Sequence, residues 1–471
     1  MKLPQIIQGG MGVGVSGYLL ARAVALSGGL GTVSGVVAPH ILAHILQQGD
    51  PGGHYRRALS AFPFQSIAHN VFAKYFVEGG IPSETAYRTI PVFSLRLPRE
   101  LVELTLCANF ALVWLAKEGH NYPISINYLE KIQIPHLYSF FGAMLAGVNV
   151  VTMGAGIPFQ VPSILDAFAQ GQSANYRVAI EGSPGEAVFM EFDPEKFFDE
   201  KLPPLKRPAF LPIVSSDSLA KILLKKAKGT TIEGFVVELP TAGGHNAGPR
   251  GTPKRFNDQG EPLYGEADRV DFEELKKLGL PFWIGGSLGS SEGLAEALSL
   301  GAVGIQAGSI FALADESGLE SKQKSHIRRQ GYLGDLRVIT SQWSPTGFPF
   351  KVVALPGTTS EDAVYQARKR ICSMSYLITP FRRPDGIITS RCSAEPEKKF
   401  IHKGGDIKDT LGKRCLCQGL LASVGLGNPD EPQIFTLGDD VSFLRKLMAD
   451  KNAAYTAADA MIYLTRGKQG E

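Results

Sequence analysis

Short apolar runs, many of them β-branched and ending on glycine or a small polar residue, recur along the first two thirds of the chain between stretches of helical periodicity. Such runs read as parallel strands buried on both faces, and the stretches between them as covering helices. Eight strands are predicted, at Gln5 to Gly10, Gly31 to Val37, Ile124 to Tyr128, Val148 to Gly154, Phe210 to Ser215, Gly234 to Leu239, Pro281 to Gly286 and Gly304 to Ala307. Helical patterns lie at Tyr18 to Ser27, Ser163 to Gln170, Ser218 to Lys226, Phe272 to Leu278 and Glu292 to Leu300. This alternation predicts an α/β fold, a closed (β/α)8 TIM barrel, with its active site expected where glycines and small polar residues crowd the C-terminal ends of the strands.

Three segments stand outside the repeat and read as insertions: roughly 50 to 120, Glu181 to Arg207, and the Gly/Pro-rich stretch from Asn246 to Arg269. Beyond about Arg329 the alternation stops. The expected organisation is therefore a barrel over residues 1–329 and a C-terminal extension over 330–471.

With 471 residues, 44% hydrophobic and 20% charged, the chain has the composition of a large globular protein. A net charge of +3, with no basic stripe interleaved with aromatics, argues against nucleic acid as a partner. No signal-peptide pattern opens the sequence, so a cytoplasmic location is expected. No Asp, Glu, Lys or Arg falls between Lys131 and Asp166, long enough in principle to span a bilayer. Pro158, Pro162 and four glycines interrupt that stretch, which reads as buried helix, strand and loop and leaves no membrane span. An odd number of cysteines without a secretion signal argues against disulfides. Four of the five, Cys372, Cys392, Cys415 and Cys417, lie close together in sequence and suit a metal by composition, although their spacing matches no standard pattern.

The residues from Gly12 to Gly17 match a dinucleotide fingerprint, but the chain has no Asp or Glu before Asp50 to hold a ribose. Close approach of backbone to a flat ligand at the barrel mouth explains these glycines better. Near the end of the barrel, Ile284-Gly285-Gly286-Ser287 and Gln306-Ala307-Gly308-Ser309 each close a strand ahead of a helical run. Barrels often bind phosphate at this place, on backbone N–H groups freed of side-chain bulk, with Ser287 and Ser309 as added donors or helix caps. The turn Thr241-Ala242-Gly243-Gly244-His245 follows the sixth strand and places His245 above the barrel centre as a candidate acid or base. A second Gly-Gly-His, ending at His54, follows a polar turn with no strand behind it and is set aside.

Together, Gly9-Gly10-Met11-Gly12, Gly243-Gly244-His245 and the two phosphate-type turns resemble the nitronate monooxygenase family, formerly 2-nitropropane dioxygenases, over roughly residues 1 to 325. The resemblance implies an FMN-dependent oxidoreductase that oxidises alkyl nitronates with O2 to carbonyl compounds and nitrite. It implies that Gly10 and Met11 border the flavin ring, that Asn127 contacts it, and that Gly285, Gly286, Gln306, Gly308 and Ser309 hold the phosphate; His245 would be the catalytic base. The related flavin enoyl-acyl-carrier-protein reductases share this layout, so NAD(P)H-dependent reduction of an enoyl thioester is the alternative. A flavin-binding partner module is a third reading. The loop after Asn246, with Arg250 as a possible clamp for an anion, and the extension depart from the shortest family members and leave the substrate open.

Overall fold

Eight parallel strands form the centre of the computed structural model, which describes residues 2–466 apart from 184, 186, 187 and 384. In chain order they are β1 (Ile6–Gln8), β2 (Gly31–Ser34), β3 (Ile124–Leu129), β4 (Val150–Gly154), β5 (Ala209–Val214), β6 (Phe235–Glu238), β7 (Phe282–Gly285) and β8 (Gly304–Ala307). Neighbours pair in sequence order from β2 round to β8, and β8 pairs with β1. The ring closes between β1 and β2, where Gln8 N–H donates to Leu30 O at 3.0 Å and Leu30 N–H to Ile6 O at 2.9 Å. Each expected strand overlaps an observed one. The chain forms a (β/α)8 barrel, not a dinucleotide-binding open sheet.

Alternation along the strands separates two cores. Ile7, Leu30, Val150, Leu211, Val236 and Trp283 point inward and fill the barrel floor, with Trp283 Nε1 donating to Pro4 O at 2.9 Å. Their outward neighbours, among them Ile6, Ile126, Phe210, Phe235, Ile284 and Ile305, are sealed under the helices. Two residues further along the strands, the inward positions become Asn127, Glu238, Gly285 and Gln306. The floor is therefore apolar and the mouth polar.

The covering helices are set by local chemistry. Ser216 accepts from Leu219 N–H to start Asp217–Lys226, whose Ala220 and Leu223 are buried and whose last turn carries Lys225 and Lys226. Ser290 starts Ser291–Ser299 in the same way, accepting from Gly293 N–H, so Ser287 is not the cap of that helix.

The insertion at 50 to 120 contains helices His54–Ser60, Gln65–Tyr75 and Arg99–Lys117. The insertion expected at Glu181 begins earlier, with an antiparallel hairpin of Ala174–Val178 and Val188–Phe192. In its first strand Ala174, Tyr176 and Val178 are buried while Asn175 and Arg177 are exposed. Between Lys131 and Asp166 lie helix His136–Leu145, β4 and the start of helix Val161–Ala169. No helix among the described residues is long and apolar enough to cross a membrane.

Directly after β8 the chain makes a short helix, Ser309–Ala312, too brief to cover a strand. Helix Ala457–Arg466 packs instead against both Tyr18–Leu26 and Ser291–Ser299, filling the gap in the helical ring. The residues between 313 and 456 thus leave the barrel after β8 and return to complete it. They include helix Ser321–Leu333, within which Arg329 lies, and the hairpins Val338–Ser341 with Phe350–Val353 and Thr379–Arg382 with Ile388–Arg391.

Candidate functional site

The C-terminal ends of the strands open into a cavity of about 220 Å³. All eleven residues singled out from the sequence line it: Gly10, Met11, Asn127, Gly244, His245, Gly285, Gly286, Ser287, Gln306, Gly308 and Ser309. Barrel geometry brings them together from five separate strand ends.

Several of these positions require the absence of a side chain. A Cβ at Gly10 would come within 2.2 Å of Asn127 Cγ, so backbone at the end of β1 lies directly on the β3 amide. Gly286 has φ +120°, and a Cβ there would stand 2.9 Å from both Leu239 Cβ and Thr241 Oγ1. Gly308 and Gly289 are different, because their missing side chains leave open space. A Cβ at Gly308 meets only Met11 Sδ, at 3.8 Å, and one at Gly289 meets nothing within 4 Å. A hollow walled by backbone is left at the ends of β7 and β8, suited to an anion on N–H groups. Opposite, the Asn127 Oδ1 atom is buried without a hydrogen-bond partner, an acceptor left for a ligand with a polar edge. These features fit a flat ligand with one phosphate.

His245 is held from the far side by the segment that follows β8. Lys351 N–H donates to Gly244 O at 2.9 Å, and Asn246 N–H to Pro349 O at 2.9 Å, so the histidine turn pairs with the edge of a hairpin. The imidazole lies 4.8 Å from the Phe350 ring, and its Nε2 is 2.7 Å from Ser344 Oγ. Ser344 Oγ is in turn 2.7 Å from Thr346 Oγ1. A proton order that satisfies this chain runs from Nε2–H to Ser344 and from Ser344 to Thr346, leaving Nδ1 as the acceptor. Burial lowers the His245 pKa to about 4, so the ring is neutral at pH 7.

The same segment roofs the cavity. Gly438 N–H donates to Ser309 Oγ at 2.8 Å, Gly244 N–H to Thr436 Oγ1 at 2.9 Å, and Asp439 N–H to Thr241 O at 3.1 Å. A strap from Thr436 to Asp439 therefore bridges the turns that follow β6 and β8. Tyr376, Leu377, Leu416 and Cys417 add an apolar wall. Sequence reasoning did not place these residues at the site, and the strap lies more than a hundred positions from the turns it touches.

It also missed Glu238, although the signal is present: two-residue alternation from Val236, which is on the barrel floor, turns Glu238 inward. Glu238 pairs in register with Gly285, and Gly285 with Gln306, so three cavity residues sit side by side. Among the described residues the Glu238 carboxyl finds no hydrogen-bond or ion-pair partner, and it lies partly buried at the cavity wall. Burial pushes its pKa up to about 8.

Two other candidates lie elsewhere. Arg250 does not border the cavity; its Nη2 donates to Ser215 O at 2.5 Å and its backbone N–H to Asp268 Oδ1 at 2.7 Å. His54 begins a surface helix, with its Nδ1 3.1 Å from Arg57 Nη2, and is not among the residues lining the cavity.

No family model and no curated protein matches the sequence. Solved structures that the chain resembles include FabK from Thermotoga maritima, at 14% identity over 98% of this chain and 92% of that chain, with a TM-score of 0.49. They also include nitroalkane oxidase from Streptomyces ansochromogenes, at 12% identity over 98% and 94% with a TM-score of 0.49. The enoyl reductase domain of MlnA from the macrolactin biosynthesis cluster of Bacillus amyloliquefaciens is similar at 12% identity over 98% and 94%, with a TM-score of 0.47.

Proposed function

We propose that this protein is an FMN-dependent oxidoreductase that oxidises alkyl nitronates with O2 to carbonyl compounds and nitrite. One observation carries the reading: a neutral, hydrogen-bonded imidazole faces the same cavity as a backbone-walled anion hollow and an unpartnered amide oxygen. Gly285, Gly286, Ser287, Gln306, Gly308 and Ser309 would hold the phosphate, while Gly10, Met11 and Asn127 would border the ring. The flavin, when bound, supplies the redox chemistry. His245 would take the α-proton of a nitroalkane on Nδ1, with Ser344 fixing the ring orientation and tautomer. Leu377, Leu416 and Leu437 would exclude water from the reacting carbon.

Glu238 favours a second reading, reduction of an enoyl thioester by NAD(P)H. Its raised pKa and the lowered pKa of His245 leave a protonated acid and an unprotonated base in one cavity at pH 7. A protonated carboxyl suits the donation of a proton to a substrate carbon. In either reaction, a step that needs this proton slows as pH rises through about 8, where the carboxyl ionises. Glu238→Gln cannot ionise and is expected to lose that alkaline limb from its profile of kcat/KM against pH. An unchanged limb would remove Glu238 from the chemistry.

Oxygen uptake separates the two reactions. Nitronate-dependent O2 consumption without NAD(P)H, with nitrite released, is the expected result. Bleaching of the bound flavin by NAD(P)H, with no response to nitronates, would replace the first reading by the second.

A further inference from the structure

Four cysteines come from three separate pieces of the segment between β8 and the final helix. Cys372 lies in a loop, Cys392 directly follows strand Ile388–Arg391, and Cys415 and Cys417 flank the first residue of helix Leu416–Ala422. The fold brings all four to the wall of one small cavity of about 10 Å³, in which the centre of a water-sized body fits. No disulfide joins them. The Arg368 guanidinium, which is paired with Glu431 at 2.7 Å, lies near Cys415. A nearby cation favours the thiolate form in which cysteine binds a metal.

The spacing of the thiols decides between two kinds of metal centre. A single tetrahedral zinc, bonded to each sulfur at about 2.3 Å, pulls four sulfurs together and leaves no room for a water-sized body among them. Among the described residues, no group of three or more His, Cys, Asp or Glu side chains is placed to hold one ion. A cluster provides a separate iron for each cysteine and keeps the sulfurs apart. We propose that Cys372, Cys392, Cys415 and Cys417 bind a four-iron iron–sulfur cluster.

Its place is as informative as its ligands. Tyr376, Leu377, Leu416 and Cys417 line both the thiol cavity and the large cavity at the barrel mouth. The cluster would thus sit directly behind the apolar roof of the candidate active site, separated from it by single side chains. Cluster binding does not depend on the flavin reading, and the two are measured separately.

The test uses the full chain, purified without oxygen and treated with ferrous iron, sulfide and a thiol reductant. About four irons and four acid-labile sulfides per chain are expected, with a paramagnetic signal after one-electron reduction that flavin alone does not give. A Cys415→Ser/Cys417→Ser double variant should lose iron and sulfide together, while Cys107→Ser, which removes a thiol buried in helix Arg99–Lys117, should keep both. If the double variant does not fold, the iron and sulfide content of the unaltered chain still decides. Stoichiometric zinc, or no iron after reconstitution with all thiols still free, would overturn the proposal. A cluster present in protein that binds no flavin would leave it standing and remove the FMN reading instead.

Discussion

His245→Asn is expected to reduce turnover of a neutral nitroalkane by roughly two to four orders of magnitude, the usual contribution of a positioned general base, in a protein that still folds and still binds flavin. Asparagine cannot take a proton, and its amide is shorter than the imidazole that reaches Ser344 through Nε2. The turn itself is held by backbone bonds from Gly244 and Asn246 to the Pro349–Lys351 edge, which the substitution leaves alone. A substrate supplied already as the nitronate has no proton to lose and should suffer much less. Because burial lowers the His245 pKa to about 4, the base should stay unprotonated through neutral pH, and its acid limb should appear only as pH falls toward 4. Ser344→Ala removes the Nε2 partner and should lower kcat while leaving flavin occupancy intact. His54→Asn serves as the control, since that imidazole meets Arg57 at the surface. Loss of activity in the His54 variant with none in His245→Asn would reverse the choice between the two Gly-Gly-His turns.

The barrel was legible in the sequence because parallel strands buried on both faces leave unbroken apolar runs, and all eight appear where those runs predict them. The glycine turns were legible for a related reason. Positions such as Gly10 and Gly286 tolerate no side chain, so local sequence records the close approach even before the neighbour is known. Hairpin Ala174–Val178 with Val188–Phe192 escaped notice because Asn175 and Arg177 dilute a strand buried on one face only. Glu238 passed without comment inside the predicted strand Gly234 to Leu239, although alternation from Val236 already turned it toward the barrel axis. The roof could not be read locally. Contacts such as Ser309 with Gly438 and His245 with Ser344 join residues about a hundred or more positions apart, and nothing in the Thr436–Asp439 strap announces its partner. The final helix is a further case, since its place between the helices that follow β1 and β7 is fixed by a gap in the ring rather than by any signal of its own.

The anion hollow can be tested apart from the chemistry, and the largest loss of flavin is expected from Gly286→Leu. At φ +120° a leucine backbone is strained by about 1–3 kcal/mol, and its Cβ would be 2.9 Å from Leu239 Cβ and Thr241 Oγ1, in the turn that leads to His245. That variant therefore moves the wall as well as filling the space. Gly308→Leu separates the two effects. Its φ of −110° suits any residue, and its Cβ has only Met11 Sδ nearby, at 3.8 Å, so the fold has no reason to shift while the side chain enters the cavity. Loss of even one well-placed phosphate contact, worth about 1.4 kcal/mol, weakens binding tenfold. FMN released on denaturation should fall in both variants, with thermal unfolding of the apoprotein lowered for Gly286→Leu and nearly unchanged for Gly308→Leu. Gly289→Ala, a single methyl group into open space, should retain the flavin. If both leucine variants kept full occupancy, the phosphate would have to lie elsewhere, and the ends of β7 and β8 would lose their place in the site.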